Sequence, residues 1–304
     1  MASPIVREAA APRLHRSGTR IVFAWPLVEV GAFDCWPGDE RWRRENHVDE
    51  GHVIAFPGTA VEIAQEGHHP VVADANRIVL YNRDQSYRRG LVSRAGDHCT
   101  YLVVAPELLE ELATAGVAPI REPDRRPFAT PAAPIDRVEH LEQRTLLRAM
   151  MSGQPVDRLE LQERLVGLVT RVLRQAFGAL PARRGRRAGT ELEHRRIVEA
   201  TRASLAADLG RPRSLDQVAN QVGVSVFHLS RVFRERAGMS LHAYRDELRL
   251  RSSLPEVIDG SRALTEVALD HGYASPSHFT DRFRARYGVA PSELRARVGR
   301  SARF

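Results

Sequence analysis

The C-terminal third of the chain contains an internal repeat. The segment SLDQVANQVGVSVFHLSRVFRERAGMS begins at Ser214, and the similar segment ALTEVALDHGYASPSHFTDRFRARYGVA begins at Ala263. Their first halves match at an offset of 49 residues and their second halves at an offset of 50. Agreement at so many positions predicts two copies of one structural unit. The matched pairs are Leu215 and Leu264, Val218 and Val267, Ala219 and Ala268, Gly223 and Gly272, His228 and His278, Leu229 and Phe279, Phe233 and Phe283, Arg234 and Arg284, and Gly238 and Gly288.

Each copy contains the parts of a helix-turn-helix. In the first copy, the small Ala219 lets a second helix cross closely, and Gly223 lies where the first helix must end in a left-handed residue. Ser225 is placed to cap the second helix, which Leu229 and Phe233 dock on the core as an i,i+4 pair. The corresponding residues of the second copy are Ala268, Gly272, Ser275, Phe279 and Phe283. The opposite face of each second helix is polar and basic, as DNA reading requires.

Residues 190–297 resemble the DNA-binding domain of AraC/XylS-type bacterial transcription regulators. The resemblance is strongest in DHGYASPSHFTDRFRARYGVAPSELR, where it rests on Gly272, Tyr273, Phe279, Phe283, Gly288, Pro291 and Arg295. It implies two helix-turn-helix units joined by a long helix, SLHAYRDELRLRSSLPEV, whose Tyr244, Leu248 and Leu250 face inward. It also implies that the two units read adjacent major-groove segments of double-stranded DNA, that the protein contacts RNA polymerase, and that it acts as an activator.

Pro255 departs from the family pattern, in which the linking helix continues with Ala or Leu. An interior proline lacks an N–H group and clashes with the preceding turn, at a cost of about 3 kcal/mol unless the helix kinks or ends. We therefore expect an interruption of the linking helix at Pro255, which leaves the angle between the two units open.

The outward faces of the two second helices supply the candidate DNA contacts. Arg231 is the best candidate for a bidentate contact with guanine, and Phe227 can pack on a thymine methyl group. Asp281 leaves two interpretations open, because a carboxylate is repelled by phosphate but can accept a hydrogen bond from cytosine N4. The predicted base-facing residues are Phe227, Ser230, Arg231, Arg234, Ser277, His278, Thr280, Asp281 and Arg284. The predicted phosphate contacts are Arg213, Arg236, Arg249 and Arg286.

The charge distribution agrees with a DNA-binding C-terminal part. All 45 basic residues are arginine. Residues 1–180 hold 22 Arg against 24 acidic residues, a net charge of −2, whereas residues 181–304 hold 23 Arg against 14, a net charge of +9. A near-neutral half joined to a basic half favours a sensor or partner domain attached to a nucleic-acid binder.

Residues 19–104 have the pattern of β-strands. Short apolar runs (RIVFAW, HVIAFP, RIVLYN, TYLVVA) alternate with polar stretches and turn signals, which predicts an antiparallel sandwich or barrel. The segment DEGHVIAFPGT resembles the cupin-like sensor domains that such regulators often carry. We therefore predict a two-domain, mixed fold. Its parts are a cupin-like β sensor domain over 1–135, a helical and possible dimerisation segment over 136–180, an Arg-rich linker over 181–189, and a double helix-turn-helix domain over 190–304.

Helices are predicted on either side of a Pro-rich connector over 119–134. PELLEELATAG precedes it, and two longer helices follow it. The second of these has an apolar stripe made of Leu161, Leu165, Leu168, Val169, Val172 and Leu173. A monomer can bury this stripe against its own sheet, or two chains can bury it as a homodimer interface, and the sequence leaves both alternatives open.

A cupin-like domain can also be a metalloenzyme. The HxH pair with a following Glu that cupin enzymes use is absent, and His47 and His52 are five residues apart around a predicted turn. Cys35 and Cys99 either form a redox switch or remain buried free thiols. The alternative to a regulator is thus a cupin-type metalloenzyme or redox sensor fused to a DNA-binding tail. We expect a regulator with no enzymatic activity, no metal and no cofactor.

A small-molecule effector is expected to bind the β domain. Five aromatic residues can line its pocket or equally well fill a core: Trp25, Phe33, Trp36, Phe56 and Tyr81. No apolar run approaches the roughly 20 residues that span a bilayer, and the first residues lack the apolar stretch of a signal peptide. We therefore expect a cytoplasmic protein with no membrane partner.

Overall fold

Ten strands and ten α-helices form the part of the chain that the computed structural model describes, which is residues 18–49, 51–117, 119–120, 126–152, 157–178, 188–211 and 213–301. The strands are β1 (Thr19–Trp25), β2 (Val28–Cys35), β3 (Asn46–His47), β4 (His52–Pro57), β5 (Val61–Gln65), β6 (Val71–Ala73), β7 (Arg77–Tyr81), β8 (Ser86–Leu91), β9 (Asp97–Val104) and β10 (Ala132–Pro134). The helices are α1 (Pro106–Thr114), α2 (Arg137–Met151), α3 (Arg158–Gly178), α4 (Ala188–Ala206), α5 (Leu215–Val222), α6 (Val226–Ala237), α7 (Leu241–Asp259), α8 (Leu264–Asp270), α9 (Pro276–Tyr287) and α10 (Pro291–Ser301). This order confirms the predicted two-domain, mixed fold.

The strands form two antiparallel sheets. The six-stranded sheet has the order β1-β2-β9-β4-β7-β10, and the four-stranded sheet has the order β3-β8-β5-β6. Side chains of the two sheets meet in one apolar cluster, where Val79 of β7 packs with Ile63 of β5. The apolar runs of the sequence thus become strands whose alternate side chains face this interior.

The sequence pattern does not predict β10. Ala132 pairs with Val79, and Pro134 pairs with Arg77, at the edge of the six-stranded sheet. The strand is three residues long and lies in the Pro-rich connector, so it has no alternating pattern to detect. An edge strand is also where a sheet tolerates proline.

The apolar stripe of α3 is buried within one chain. Its six residues form a core with α1, α2 and the outer face of the six-stranded sheet, including Ile54 and Leu102. Of the two alternatives that the sequence leaves open, the structure has the stripe packed against its own sheet. A homodimer would have to use other side chains.

The predicted interruption at Pro255 is wrong, because α7 continues through this residue to Asp259. Its neighbours Leu254 and Val257 are completely buried in the apolar cluster around the second helix-turn-helix unit. This packing holds the helix together across the hydrogen bond that proline cannot donate. Tyr244, Leu248 and Leu250 face inward as predicted.

Helices α4 and α7 contact the β-sheets through buried polar groups. The Glu199 carboxylate of α4 accepts a hydrogen bond from the backbone N–H of Val72 at 2.7 Å and pairs with Arg77 at 3.1 Å. The Tyr244 hydroxyl of α7 donates to the Asp74 carboxylate at 2.7 Å. The turn between β6 and β7 is thus joined to both helices.

Part of the predicted linker, residues 181–187, lies outside the described residues, and α4 begins at Ala188. Within the ranges given above, no helix combines the length and the apolar character needed to cross a membrane.

Candidate nucleic-acid interface

The first helix-turn-helix unit consists of α5 and α6. Ser214 and Gln217 form a capping box at the start of α5, which satisfies backbone N–H groups there. Gly223 ends α5 with φ of 81°, in the left-handed region that glycine adopts without strain. The Ser225 hydroxyl then accepts the N–H of His228 at 3.2 Å and begins α6. The predicted cap and turn residues are confirmed.

The second unit, α8 and α9, repeats this geometry. Gly272 has φ of 78°, and the Ser275 hydroxyl accepts the N–H of His278 at 3.2 Å. Gly272 has a second requirement that Gly223 lacks, since a Cβ atom there would lie 2.3 Å from the carbonyl oxygen of Leu209. The second turn is therefore packed against the segment that follows α4.

The inner faces of α6 and α9 are completely buried. Leu229, Val232 and Phe233 hold α6 in the core, and Phe279 and Phe283 hold α9 with their ring centroids 5.5 Å apart. Each second helix is therefore fixed in rotation, and its opposite face must point to solvent.

The outer face of α6 presents an exposed aromatic ring and two cations. Phe227 is 78% exposed, Arg231 and Arg234 are exposed, and Ser230 is half-buried. The Arg231 guanidinium lies 3.8 Å from the Glu235 carboxylate, an exposed i,i+4 pair that holds it only weakly. The predicted base-facing residues of this unit therefore share one open surface.

The outer face of α9 is less basic. Ser277, His278, Asp281 and Arg284 are exposed, whereas Thr280 is half-buried and its hydroxyl donates to the carbonyl of Pro276 at 2.9 Å. The His278 ring packs edge-on against Tyr273, with centroids 5.5 Å apart. Asp281 occupies the position of Arg231 in the repeat, so the two units present different chemistry to a groove.

Arg234 and Arg284 correspond to each other in the repeat and are both exposed. Neither has an ion-pair partner among the residues that the structure describes. These two guanidinium groups can therefore bind an anion or a hydrogen-bond acceptor without first breaking an ion pair with a carboxylate.

Two of the predicted phosphate contacts are held by other groups of the protein. Arg249 is only 8% exposed, and its guanidinium donates to the Leu209 carbonyl at 2.9 Å. Burial also lowers the pKa of Arg249, with a contribution from the nearby Arg245. Arg286 is half-buried and pairs with Glu247 at 2.6 Å. In these positions Arg249 fixes the segment after α4, and Arg286 neutralises a carboxylate of α7.

The other two predicted phosphate contacts lie in the first helix-turn-helix unit or just before it. Arg236 is half-buried and pairs with Glu191 of α4. Arg213 is half-buried and donates to the side-chain oxygen of Gln221. Arg213 also lines a groove of about 370 Å³ with Ser230 and Arg234.

The same groove adds two residues that the sequence analysis does not include. His242 and Arg245, in the first turns of α7, line it opposite α6. Ser240 marks the start of α7, and His242 and Arg245 are three residues apart just after it. Residues i and i+3 share one face of a helix, so this spacing indicates that the two side chains lie together. Together with Arg213 and Arg234 they place three arginines and a histidine around one groove.

The β part contains a larger cavity, of about 630 Å³, between the two sheets. Its wall combines apolar side chains with polar and charged ones, among them a buried ion pair in which Arg89 Nε lies 2.9 Å from the Asp97 carboxylate. The Tyr87 hydroxyl accepts a hydrogen bond from the same guanidinium. The cavity thus has the size of a small-molecule site, with both apolar and polar groups in its wall.

Only two of the five candidate aromatic residues line this cavity, Phe33 and Tyr81. Phe56 is buried in the core on the other face of the sheet, and Trp25 packs against that core. Trp36 is 63% exposed. Neighbouring residues of a strand face opposite sides of the sheet, so an aromatic residue in an apolar run can either line the cavity or fill the core behind the sheet.

Neither a metal centre nor a disulfide is built into the described residues. No three His, Cys, Asp or Glu side chains in those ranges are placed to hold a metal ion. Cys35 and Cys99 are not bonded to each other, since Cys35 lies opposite Asp97 and Cys99 opposite Phe33 in the β2–β9 pair. Burial raises the pKa of both thiols, which makes them poor nucleophiles.

Comparison with known proteins finds several that are similar to the helix-turn-helix region. A family model described as a helix-turn-helix domain matches residues 218–297. The transcriptional activator AarP of Providencia stuartii is 34% identical over 99 residues, which are 33% of this chain and 73% of AarP. The transcriptional regulator GlxA of Rhizobium meliloti is 37% identical over 90 residues, which are 29% of this chain but only 28% of GlxA.

A solved structure of similar type is the transcriptional regulator from Chromobacterium violaceum, described as having an AraC-type DNA-binding domain. It is 28% identical, with 37% of this chain and 96% of that chain covered and a TM-score of 0.33. The double helix-turn-helix, its repeated cap and core residues, and the match to most of AarP lead to one conclusion. The chain belongs to the AraC-type family of DNA-binding transcription regulators.

Proposed function

We propose that α6 and α9 enter two successive major-groove segments of duplex DNA and read its sequence. One observation carries this proposal: in both copies of the repeat, the inner face of the second helix is completely buried and its outer face is open and polar. Such a helix can reach base edges without any change in its own packing.

Within this proposal, Arg231 binds guanine and Phe227 contacts a thymine methyl group, while Arg284 supplies the basic contact of the second unit. The groove residues Arg213 and Arg245 bind phosphate, which positions the protein on the duplex. Arg249 has no part in it, because its guanidinium is buried on a backbone carbonyl.

Selection of random duplex DNA by the full chain, at two salt concentrations, tests the proposal. The expected motif has two blocks about one helical turn apart. Arg231→Ala should relax the preference in one block and Arg284→Ala in the other, each by about 1–3 kcal/mol, or roughly 5- to 150-fold.

Arg174→Ala is the matched control for these variants. Arg174 is an exposed arginine of α3, the helix whose apolar stripe packs against the six-stranded sheet. The substitution removes the same charge from a helix that packs on the β part rather than on α6 or α9. If Arg231→Ala and Arg284→Ala lowered affinity equally for all sequences, and no more than this control, the two helices would not be readers.

We further propose that the protein responds to a small-molecule effector bound in the cavity between the two sheets. The volume of about 630 Å³ and the buried Arg89–Asp97 pair support this site. Ala55 lines the cavity, so Ala55→Phe should fill part of it, abolish the response to the effector, and leave DNA binding in the absence of the effector unchanged.

The remaining parts of the proposal concern assembly and output. We infer a homodimer formed by the outward faces of α2 and α3, where Met151 and Leu159 are exposed. Leu159→Glu should then yield monomers in sedimentation experiments. The dimer would act in the cytoplasm as an activator that contacts RNA polymerase, with no catalysis of its own, and transcription from a promoter carrying the selected motif is the measurement that checks this output.

A further inference from the structure

One face of α2 buries polar groups that lack partners. His140, Gln143 and Arg144 follow the i, i+3, i+4 spacing and are 1%, 3% and 8% exposed. Both ring nitrogens of His140, Oε1 of Gln143 and Nε of Arg144 are buried without a hydrogen-bond partner. Buried polar groups are nearly always paired, so three neighbours with free atoms indicate a common cause.

This face of α2 lies between the β part and the linking helix α7. On the sheet side, Gln143 Nε2 lies 2.6 Å from the Thr100 hydroxyl, and a Cβ at Gly58 would lie 3.5 Å from the Arg144 guanidinium. On the other side, Arg251 of α7 donates to the Ile135 carbonyl just before α2, at 2.7 Å.

Among the described residues, Arg144 lacks the carboxylate partner that the nearby Arg251 has. Arg251 pairs with Glu247 on its own helix, at 2.5 Å. Arg144 has no ion-pair partner within the described ranges. The acidic groups that favour its protonation are the Cys99 thiol, which is uncharged at neutral pH, and the Asp259 carboxylate. Burial lowers the pKa of Arg144 to about 10, so this group still carries its charge at neutral pH.

A buried guanidinium without a counter-charge is costly, and an anion that pairs with it offsets part of that cost. The neighbouring groups suit an anion as well. Burial, with Arg144 and Arg251, lowers the pKa of His140 well below its usual value, which leaves a neutral ring with one N–H to donate. Because the Thr100 hydroxyl can donate as well as accept, Gln143 can keep this bond with its amide turned, and then presents an N–H group where its free oxygen now lies.

We propose that Arg144, with His140 and Gln143, binds a small anion, a phosphate or a carboxylate group, between the β part and α7. The planar guanidinium fork matches both groups. Since α2 packs between the sheet and α7, the anion stabilises the state in which the two parts are docked. This site is separate from the cavity between the sheets and does not depend on how α6 and α9 read DNA.

Thermal unfolding of the full chain tests the site, with inorganic phosphate and acetate titrated separately at constant ionic strength. We expect Tm to rise by about 5 °C at a hundredfold excess over Kd with at least one of the two anions. The anion that acts identifies the ligand class. Arg144→Met should abolish the rise, and exposed Arg174 of α3 gives the matched control, Arg174→Met, which should retain it.

Without added phosphate or acetate, Arg144→Met should unfold at the same temperature as the wild type or above it, because it removes a charge that nothing balances. Arg144→Lys keeps the charge but loses the fork, so its rise in Tm should require higher anion concentrations. The proposal is wrong if Arg144→Met keeps the full response, or if neither anion stabilises the wild type. It is equally wrong if Arg144→Met fails to fold while Arg144→Lys shows the unchanged response of the wild type.

Discussion

The two turn glycines allow a matched test of what holds the second unit in place. Gly223 and Gly272 have φ of 81° and 78°, at corresponding positions of the repeat. An alanine at either position must adopt the left-handed conformation, at about 1–2 kcal/mol, partly offset by about 0.4–1 kcal/mol from the stiffer unfolded chain. The two substitutions therefore share a net backbone cost of about 1 kcal/mol.

Their surroundings differ. Around Gly223 no heavy atom lies within 4 Å of the added Cβ, so Gly223→Ala should cost only the backbone term. At Gly272 the Cβ would lie 2.3 Å from the Leu209 oxygen and 2.5 Å from the Arg249 guanidinium, which donates to that oxygen. Moving these groups apart breaks a buried charged hydrogen bond, which adds about 1–3 kcal/mol.

We therefore expect Gly272→Ala to lower the free energy of unfolding by about 2–4 kcal/mol, against about 1 kcal/mol for Gly223→Ala. Urea unfolding of the full chain, followed by circular dichroism, measures both. DNA affinity should fall more for Gly272→Ala as well, because the shift displaces α9 relative to the first unit. Equal destabilisation by the two substitutions would refute the close approach between the second turn and the segment after α4.

Three further changes test the contacts between the parts. Glu199→Ala leaves Arg77 without its buried partner and should cost about 3–5 kcal/mol in urea unfolding, whereas Glu193→Ala, an exposed pair on the same helix, should cost less than about 1 kcal/mol. Burial alone would raise the pKa of Glu199, but its arginine partners outweigh it and the pKa is lowered. The contribution of Glu199 to the free energy of unfolding should therefore be present above pH 4.5 and be lost as the pH falls through the folded pKa. Glu199→Gln should not show this loss. Because burial lowers the pKa of His140, the unfolded state binds a proton near pH 6.5 and the folded state does not. The free energy of unfolding should therefore fall with falling pH, by up to about 1.4 kcal/mol per pH unit from this group. His140→Leu should remove this contribution to the slope.

The parts of the fold that could be predicted are those governed by local patterns. Gly223, Gly272, Ser225 and Ser275 act through their own backbone and that of residues up to three positions away, so the sequence shows the caps and turns directly. The apolar periodicity likewise predicts which face of α6 and α9 is buried, and hence which face is open.

The parts that could not be predicted depend on distant partners. Whether α7 bends at Pro255 is decided by the packing of Leu254 and Val257 against another unit, which no local rule contains. The position of Arg249 is decided by the Leu209 carbonyl, 40 residues away, and an exposed arginine and a buried one look alike in sequence. The groove beside α6 depends on a distant partner too, because the spacing of His242 and Arg245 shows that they share a face of α7 but not that this face lies opposite α6.

The linking helix α7 contacts both helix-turn-helix units, the β part and α2. Its first turns line the groove beside α6, and the Tyr244 hydroxyl is bonded to Asp74 in the turn between β6 and β7. Further along, Arg251 is bonded to the backbone before α2, and the last turns pack against the second unit. A ligand in the β part can change DNA binding only by favouring one arrangement of parts over another. Since the contacts of α7 with Asp74 and with the start of α2 are both buried, a change in the spacing of these two points has to move α7, and with it the two units it joins.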